Sequence, residues 1–171
     1  MNIEHVKIAK QGREAMRAWA EANPDTTFDV SGATFETPVS VSGLTFKYFN
    51  ADNATFKYFN AYHATFKYFH AYHATFRDFY AEGATFKFFN AYNATFKFFY
   101  AGGATFKLFY AEDATLGNFS ARNTTFEKFF AADVTLGNFN ARGAMFGYFN
   151  ITGATVVIGD KKCQLSLVPT H

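Results

Sequence analysis

The sequence is poor in several kinds of residue, and each shortage excludes a class of protein. It holds a single cysteine, Cys163, so an internal disulfide framework is excluded. No apolar run approaches the roughly 20 residues of a membrane span, and the N-terminus lacks the layout of a secretion signal. The 16 basic and 14 acidic side chains nearly cancel, which gives no strong preference for nucleic acid. We therefore expect one cytoplasmic domain without membrane contact.

Aromatic residues are abundant by contrast, and they recur with a fixed period. Phe, Tyr and Trp make up 21% of the 171 residues. Between Leu44 and Asn150 a ten-residue phrase repeats, as in residues 54–63 (ATFKYFNAYH). Its apolar residues stand at the first, third, sixth and eighth places, so the underlying unit is a three-residue extended piece followed by a corner. A sustained short period of this kind indicates a stacked solenoid.

Two other architectures fit this pattern less well. In an α-helix ten residues advance about 1000°, so the Phe positions would drift around the helix instead of forming one face. A flat meander with one strand per phrase would place Phe56 and Phe59 on opposite faces. One layer of phenylalanine would then face water. The sequence therefore favours the solenoid.

The five-residue unit resembles the motif of the pentapeptide-repeat family, in which a small residue, Asp or Asn, and a central Leu or Phe precede two further residues. Residues 64–68 (ATFKY) and 114–118 (ATLGN) follow it. Two departures are that every second unit is inverted (residues 69–71, FHA) and that Thr occupies the Asp/Asn place. The resemblance covers roughly residues 26–158. It implies an all-β solenoid, a right-handed quadrilateral β-helix of about six to seven 20-residue coils, from a bacterial source.

In that frame residue n stacks on residue n + 20, and the aromatic residues separate by type. All but three of the 25 Phe fall on inward positions, whereas all ten Tyr fall on outward ones. A buried Tyr needs a partner for its hydroxyl, which explains the separation. We expect the core to contain Phe46, Phe49, Phe66, Phe69, Phe86, Phe89, Phe106 and Phe109.

The corners that follow the inverted units carry residues that tolerate a positive φ, as a type II turn requires. One edge has Gly43, His63, Gly83, Gly103, Asn123 and Gly143, and the opposite edge has Asn53, His73, Asn93, Asp113, Asp133 and Gly153.

The two ends of the chain predict separate covers for the solenoid. Residues 3–22 predict one helix that stops at Asn23 and Pro24, so residues 1–25 form an N-terminal helical cap. The apolar positions of this helix are Ile3, Val6, Ala9, Met16, Trp19 and Ala20. One extra residue within 36–38 predicts a bulge at the start of the coils.

Residues 159–171 predict a C-terminal cap or tail, or a dimer contact. The repeat ends after Val156, Gly159 and Asp160 predict a turn, and Cys163, Leu165 and Leu167 alternate like a strand.

The residue pattern does not assemble a catalytic, metal or cofactor site. His63 and His73 fall on opposite edges of the predicted solenoid, which leaves His70 and His73 as two ligands at most. Cys163 has no base beside it in the pattern, and the carboxylates form no acid–base pair by spacing. We therefore expect a non-enzymatic protein without cofactors.

Outward aromatic residues predict a contact surface for a homodimer or for another protein, whose identity stays open. A surface patch of several hundred Å² commonly marks an interaction site, although stacking between coils alone would also place rings there. The candidate residues are Tyr48, Tyr68, Phe88 and Leu108 along one corner, with Tyr72, Tyr92, Tyr110 and Phe130 on the adjoining face.

Three alternative functions remain open. The family resemblance implies a DNA-mimicking inhibitor or protector of the topoisomerase gyrase, but Lys and Thr stand where mimicry needs acidic residues. Rows of lysine beside aromatic residues are similar to single-strand nucleic-acid binders, yet the rows fall on opposite faces. Outward Thr columns indicate ice binding, but charged residues two positions on interrupt a flat hydroxyl array.

Overall fold

The computed structural model of the chain describes residues 1–157 and the backbone of residues 158 and 161–164. The regular coil strands pair in parallel with the strand 20 residues later, for example Phe86 in Thr85–Asn90 with Phe106 in Thr105–Tyr110. Two sheets result, one of seven strands and one of nine, and the successive strands of the regular coils alternate between them. The predicted solenoid of 20-residue coils is confirmed, with about six turns and helices at its N-terminal end.

Two helices precede the strands. They are α1 (Ile3–Gln11) and α2 (Arg13–Ala22). The first strands are β1 (Thr27–Asp29), β2 (Thr34–Phe35) and β3 (Val39–Ser40). Regular coils follow as β4 (Thr45–Asn50), β5 (Thr55–Asn60), β6 (Thr65–His70), β7 (Thr75–Tyr80), β8 (Thr85–Asn90), β9 (Thr95–Tyr100), β10 (Thr105–Tyr110), β11 (Thr115–Ser120), β12 (Thr125–Phe130), β13 (Thr135–Asn140), β14 (Met145–Asn150), β15 (Thr155–Ile158) and β16 (Lys161–Gln164).

Each six-residue strand bends in its middle, which gives the coil four sides. Phe86 and Phe89 are both 0% exposed, whereas Lys87 and Phe88 between them point outward. A straight strand would alternate its side chains and could not bury both phenylalanines. The flat meander is therefore excluded, and two bends and two turns close each coil.

Phenylalanine fills the interior as stacked columns. The eight phenylalanines assigned to the core from the sequence are at most 3% exposed. Phe86 stacks on Phe106 with ring centroids 4.8 Å apart and planes within 1°. It also meets Phe89 edge to face at 5.0 Å and 83°. Both geometries are favourable for aromatic pairs, so the 20-residue period produces an interlocked core.

The turns between strands have the chemistry that the corner residues predict. The N–H of Ala54 donates to the carbonyl of Ala51 at 3.0 Å, and Asn53 between them has a φ of 57°. This is the positive φ that the third residue of a type II turn requires. All twelve predicted corner positions have a positive φ, so this prediction is confirmed.

The predicted bulge in the first coil is also present. Phe35 pairs with Phe56 and Val39 pairs with Phe59, both across to β5. Three residues separate the first-coil pair and two separate its partners. The extra residue therefore lies within residues 36–38, where the ladder is interrupted.

The prediction of one continuous helix over residues 3–22 is wrong. Gly12 has a φ of 101°, which an α-helix cannot contain, so the helix divides into α1 and α2 at this glycine. Ile3 was assigned to the buried side but is 63% exposed. Ala9 of the same predicted set is buried, and His5 is the second buried residue of α1.

An aromatic cluster joins the helices to the top of a phenylalanine column. The His5 ring stacks on Phe28 at 4.9 Å and 10°, and Trp19 meets Phe28 edge to face at 4.8 Å. Phe28 in turn stacks on Phe49 at 5.5 Å. His5 Nδ1 accepts a hydrogen bond from the backbone N–H of Asp29 at 2.9 Å. The two helices thus continue the core and cover its open end.

His5 predicts a pH-dependent stability of this end. Burial lowers the pKa of His5 and outweighs the opposing Asp29 carboxylate, because a buried imidazolium lacks hydration. Its contribution is complete above about pH 6.5, the unfolded pKa, and is lost as pH falls toward the lower folded pKa. We expect the free energy of unfolding to decline between pH 7.5 and 5.5. Urea melts of His5→Gln, which retains an acceptor without titrating, should show a flatter profile, and an equal slope would contradict this role.

At the C-terminal end the two sheets finish differently. Strand β16 pairs antiparallel with β15, Val156 facing Cys163, which confirms a strand at Cys163. The proposed turn at Gly159 and Asp160, and the continuation to Leu165 and Leu167, lie outside the described residues. In the described part of the chain the seven-stranded sheet ends at β14, whose inward Phe146 and Phe149 are half-buried. Within that same part, no helix has the length and hydropathy to cross a membrane.

Candidate protein-interaction surface

The aromatic residues predicted for one corner lie in ring-to-ring contact. Tyr48 stacks on Tyr68 with centroids 5.0 Å apart and planes 6° apart. Tyr68 contacts Phe88 at 6.0 Å in a tilted arrangement. The strands β4, β6 and β8 are consecutive in the seven-stranded sheet, so the pairing of equivalent residues brings these rings together.

The line of rings then moves from the corner to the adjoining face. The Phe88 ring lies 5.5 Å from Tyr110, which stacks on Phe130 at 4.8 Å and 7°. Phe130 contacts Tyr148 at 5.1 Å. We name the six residues Tyr48, Tyr68, Phe88, Tyr110, Phe130 and Tyr148 the aromatic ladder. It follows six consecutive strands, and Tyr148 at its lower end is 50% exposed.

Three predicted surface residues are not part of the aromatic ladder. Tyr72 and Tyr92 stack on each other at 5.4 Å and 5° in the turns of the next corner. In the described part of the chain, neither ring contacts the aromatic ladder. Leu108 is half-buried between Phe88 and Lys128 on the neighbouring strands. The predicted strip is therefore divided into a ladder and a separate tyrosine pair.

Two features of the aromatic surface were missed from the sequence. The first is Tyr148, because Lys128 interrupts its corner column and the contact to Phe130 is diagonal. The second is a further set of rings on the nine-stranded sheet, which we name the opposite ladder: Tyr58, Tyr80, Tyr100 and Phe98. Its successive centroids lie 4.9, 5.0 and 6.4 Å apart. The 20-residue spacing of Tyr80 and Tyr100 was the signal that could have identified it.

A row of lysines, Lys47, Lys67, Lys87 and Lys107, runs beside the upper part of the aromatic ladder, and we name it the lysine column. The Nζ atoms of Lys47 and Lys67 lie 5.5 Å from the ring centroids of Tyr48 and Tyr68. Lys47 also pairs with Asp25 at 2.7 Å. That hydrogen bond raises the pKa of Lys47 and lowers the pKa of Asp25. The ladder thus has a cationic border.

The ionisable side chains elsewhere on the surface are dispersed. His63 and His73 pack against the tyrosines that precede them, with centroids 4.2 and 4.0 Å apart. Burial raises the pKa of Glu82, whose Oε2 atom has no hydrogen-bond partner among the described residues. Among the residues that the structure describes, no group of three or more His, Cys, Asp or Glu could hold a metal ion.

Comparison with known proteins leaves the family open. No protein-family model matches the chain, and neither a curated protein nor a solved structure shows a significant match to it. What the chain shows by itself is a parallel β-solenoid with coils of about 20 residues and an aromatic ladder along one side.

Proposed function

We propose that this chain is a non-enzymatic, pentapeptide-repeat type solenoid that binds another protein through its aromatic ladder. The family assignment is supported by the inward Phe and Ala residues that recur every five positions, such as Phe46, Ala51, Phe56 and Ala61. The single observation that carries the function is the continuous contact of six outward rings along one side of the molecule.

The ladder suits a protein partner because its rings are already ordered. Contact with one or two neighbouring rings restricts each ring, so binding costs little side-chain entropy. Tyrosine is favoured at binding hot spots because it offers a large area and a hydroxyl with few rotatable bonds. Four of the six ladder residues are tyrosines, and a protein surface can offer apolar side chains to their rings and hydrogen-bonding groups to their hydroxyls.

The ring geometry favours protein over nucleic acid. Nucleobases bind aromatic side chains by stacking on an open ring face. Two pairs in the ladder already cover ring faces by stacking on each other, Tyr48 with Tyr68 and Tyr110 with Phe130. DNA mimicry requires an acidic strip, whereas the lysine column borders this surface. The Thr columns at positions such as Thr55 and Thr75 are one residue wide, which offers ice a narrow surface.

Replacement of three ladder rings should abolish partner binding. We expect Tyr68→Ser, Phe88→Ser and Tyr110→Ser together to cost several kcal/mol of binding free energy, because hot-spot residues contribute about 2 kcal/mol or more each. Self-association is measured by light scattering, and binding to other proteins by cross-linking in extract of the source cells. The matched control carries Tyr58→Ser, Tyr80→Ser and Tyr100→Ser in the opposite ladder.

The comparison of the two triple variants decides the role of the ladder. The proposal is supported if the aromatic-ladder variant loses the complexes and the opposite-ladder control retains them. If both variants retain the complexes, or both lose them equally, the ladder is only packing between coils.

A further inference from the structure

A groove lies between helix α2 and the first coils, on the side of the seven-stranded sheet that carries the outward threonines. Its volume is about 530 Å³, and its lining includes five cationic side chains and one carboxylate, Glu21. Principal lining residues are Arg13 and Arg17 from α2, with Thr45, Thr65, Lys67 and Lys87 from the sheet. The helix and the lysine column thus bring positive charge to both sides of one concave surface.

In the lysine column, the two end members form an ion pair with a carboxylate and, among the described residues, the two middle members do not. Its members lie on consecutive parallel strands, and like charges on directly paired strands destabilise a sheet. At the upper end Lys47 pairs with Asp25 at 2.7 Å. At the lower end Lys107 approaches Glu127 at 3.9 Å. Lys67 and Lys87 have no ion-pair partner in the part of the chain that the structure describes, and these two line the groove.

Protection of a sheet edge does not account for these two lysines. Exposed edge strands commonly carry lysine, which discourages pairing with another chain. Lys67 and Lys87 lie on β6 and β8, however, and each of these strands is paired on both sides. The two positive charges therefore repel each other and protect no sheet edge.

On the helix side of the groove, some N–H groups of the two arginines already donate to protein acceptors. Arg13 donates from Nε to the carbonyl of Ser42 at 2.7 Å, which fixes its guanidinium above the first coil. Arg13 and Arg17 share the single carboxylate of Glu14, at 2.7 and 2.6 Å. Arginine has five N–H donors, so Arg17 retains donors beyond this contact.

We propose that this groove binds a small phosphate monoester, whose phosphate lies between Lys67 and Lys87. Strands in a sheet are about 4.8 Å apart, so the two ammonium groups can contact different oxygens of one phosphate. The hydroxyls of Thr45 and Thr65 add neutral donors on the same face, and Ala20 and Pro24 give an apolar wall for the ester group. The groove volume falls within the range of small-molecule sites. Lys67 also borders the aromatic ladder, with its Nζ 5.5 Å from the Tyr68 ring centroid, but no ladder ring lines the groove.

Calorimetric titration with phenyl phosphate at low salt tests the site. We expect saturable binding with a Kd of about 1 mM or below, and at least about a tenfold loss in the Lys67→Gln, Lys87→Gln variant. The matched control, Lys57→Gln with Lys97→Gln, removes the same charge from the nine-stranded sheet and should bind within about twofold of the original protein. Circular dichroism verifies that both variants fold.

Three results would overturn the proposal. One is the absence of saturable heat with up to about 10 mM phenyl phosphate. Another is an equal loss in both double variants, which indicates attraction to net charge alone. The third is benzoate binding as tightly as phenyl phosphate, because a carboxylate carries less negative charge and one acceptor oxygen fewer than a phosphate monoester.

Discussion

Phe86→Ala is expected to destabilise the solenoid by about 3–5 kcal/mol, the usual cost of deleting a buried aromatic side chain. Phe86 is 0% exposed and stacks on Phe66 and Phe106 at 5.1 and 4.8 Å. Parallel ladders hold the backbone on both sides of this coil, so the cavity can collapse little. The neighbouring columns would also lose edge-to-face contacts, each worth about 0.5–1.5 kcal/mol.

Urea melts of Phe86→Ala and a surface control measure this effect. Tyr92→Ala is the control, because its ring lies outside the core and stacks only on Tyr72 among the described residues. We expect this control to lose less than about 1 kcal/mol. Equal losses in the two variants would contradict the assignment of inward and outward positions. Melts should be followed by two probes, since repeat proteins can unfold in parts.

Removal of the N-terminal helices has the second large expected effect. Deleting residues 1–24 should convert the protein into aggregates, because Phe28 and the unpaired edges of the first strands would face water. His5, Met16 and Trp19 now supply this cover, and Met16 is 0% exposed. Size-exclusion chromatography and thermal melts measure the outcome.

A point variant separates loss of the cover from loss of chain length. Met16→Asp places a charge at a fully buried position and should cause aggregation similar to that of the deletion. Glu21→Ala on the exposed side of the same helix should leave the protein monodisperse. A soluble deletion variant with an unchanged melting temperature would show that the helices have another role.

The repetition in the sequence was sufficient to predict the coil but not the residues that break its symmetry. Gly12 illustrates the limit, because a glycine can interrupt a helix or remain inside it, and apolar spacing alone does not decide between them. The path of the aromatic ladder is a second example. Leu108 in place of a ring moves the contact from Phe88 to Tyr110, and this diagonal depends on side-chain direction rather than on the 20-residue period.

The groove beside α2 also could not be predicted from the sequence. Its floor is periodic, so the lysine column was visible as a row of residues 20 positions apart. Its other wall depends on where α2 lies across the first coil, which the contacts of Trp19 with Phe28 and of Arg13 with Ser42 determine. These contacts join residues far apart in the chain, and no local pattern encodes them.

The sequence by itself determined the coil length, the inward and outward faces and the positive-φ turns. The physical reason is that each of these properties repeats locally: an extended piece buries alternate side chains, and a type II turn requires a residue such as Asn53 or Gly83. The tertiary structure alone decided how the helices cover Phe28, which rings touch and which lysines of the described part of the chain form ion pairs. Those properties arise from packing between neighbouring coils and between the coils and the helices. They depend on single residues, either within the repeat, such as Leu108, or before it, such as Gly12 and Asp25.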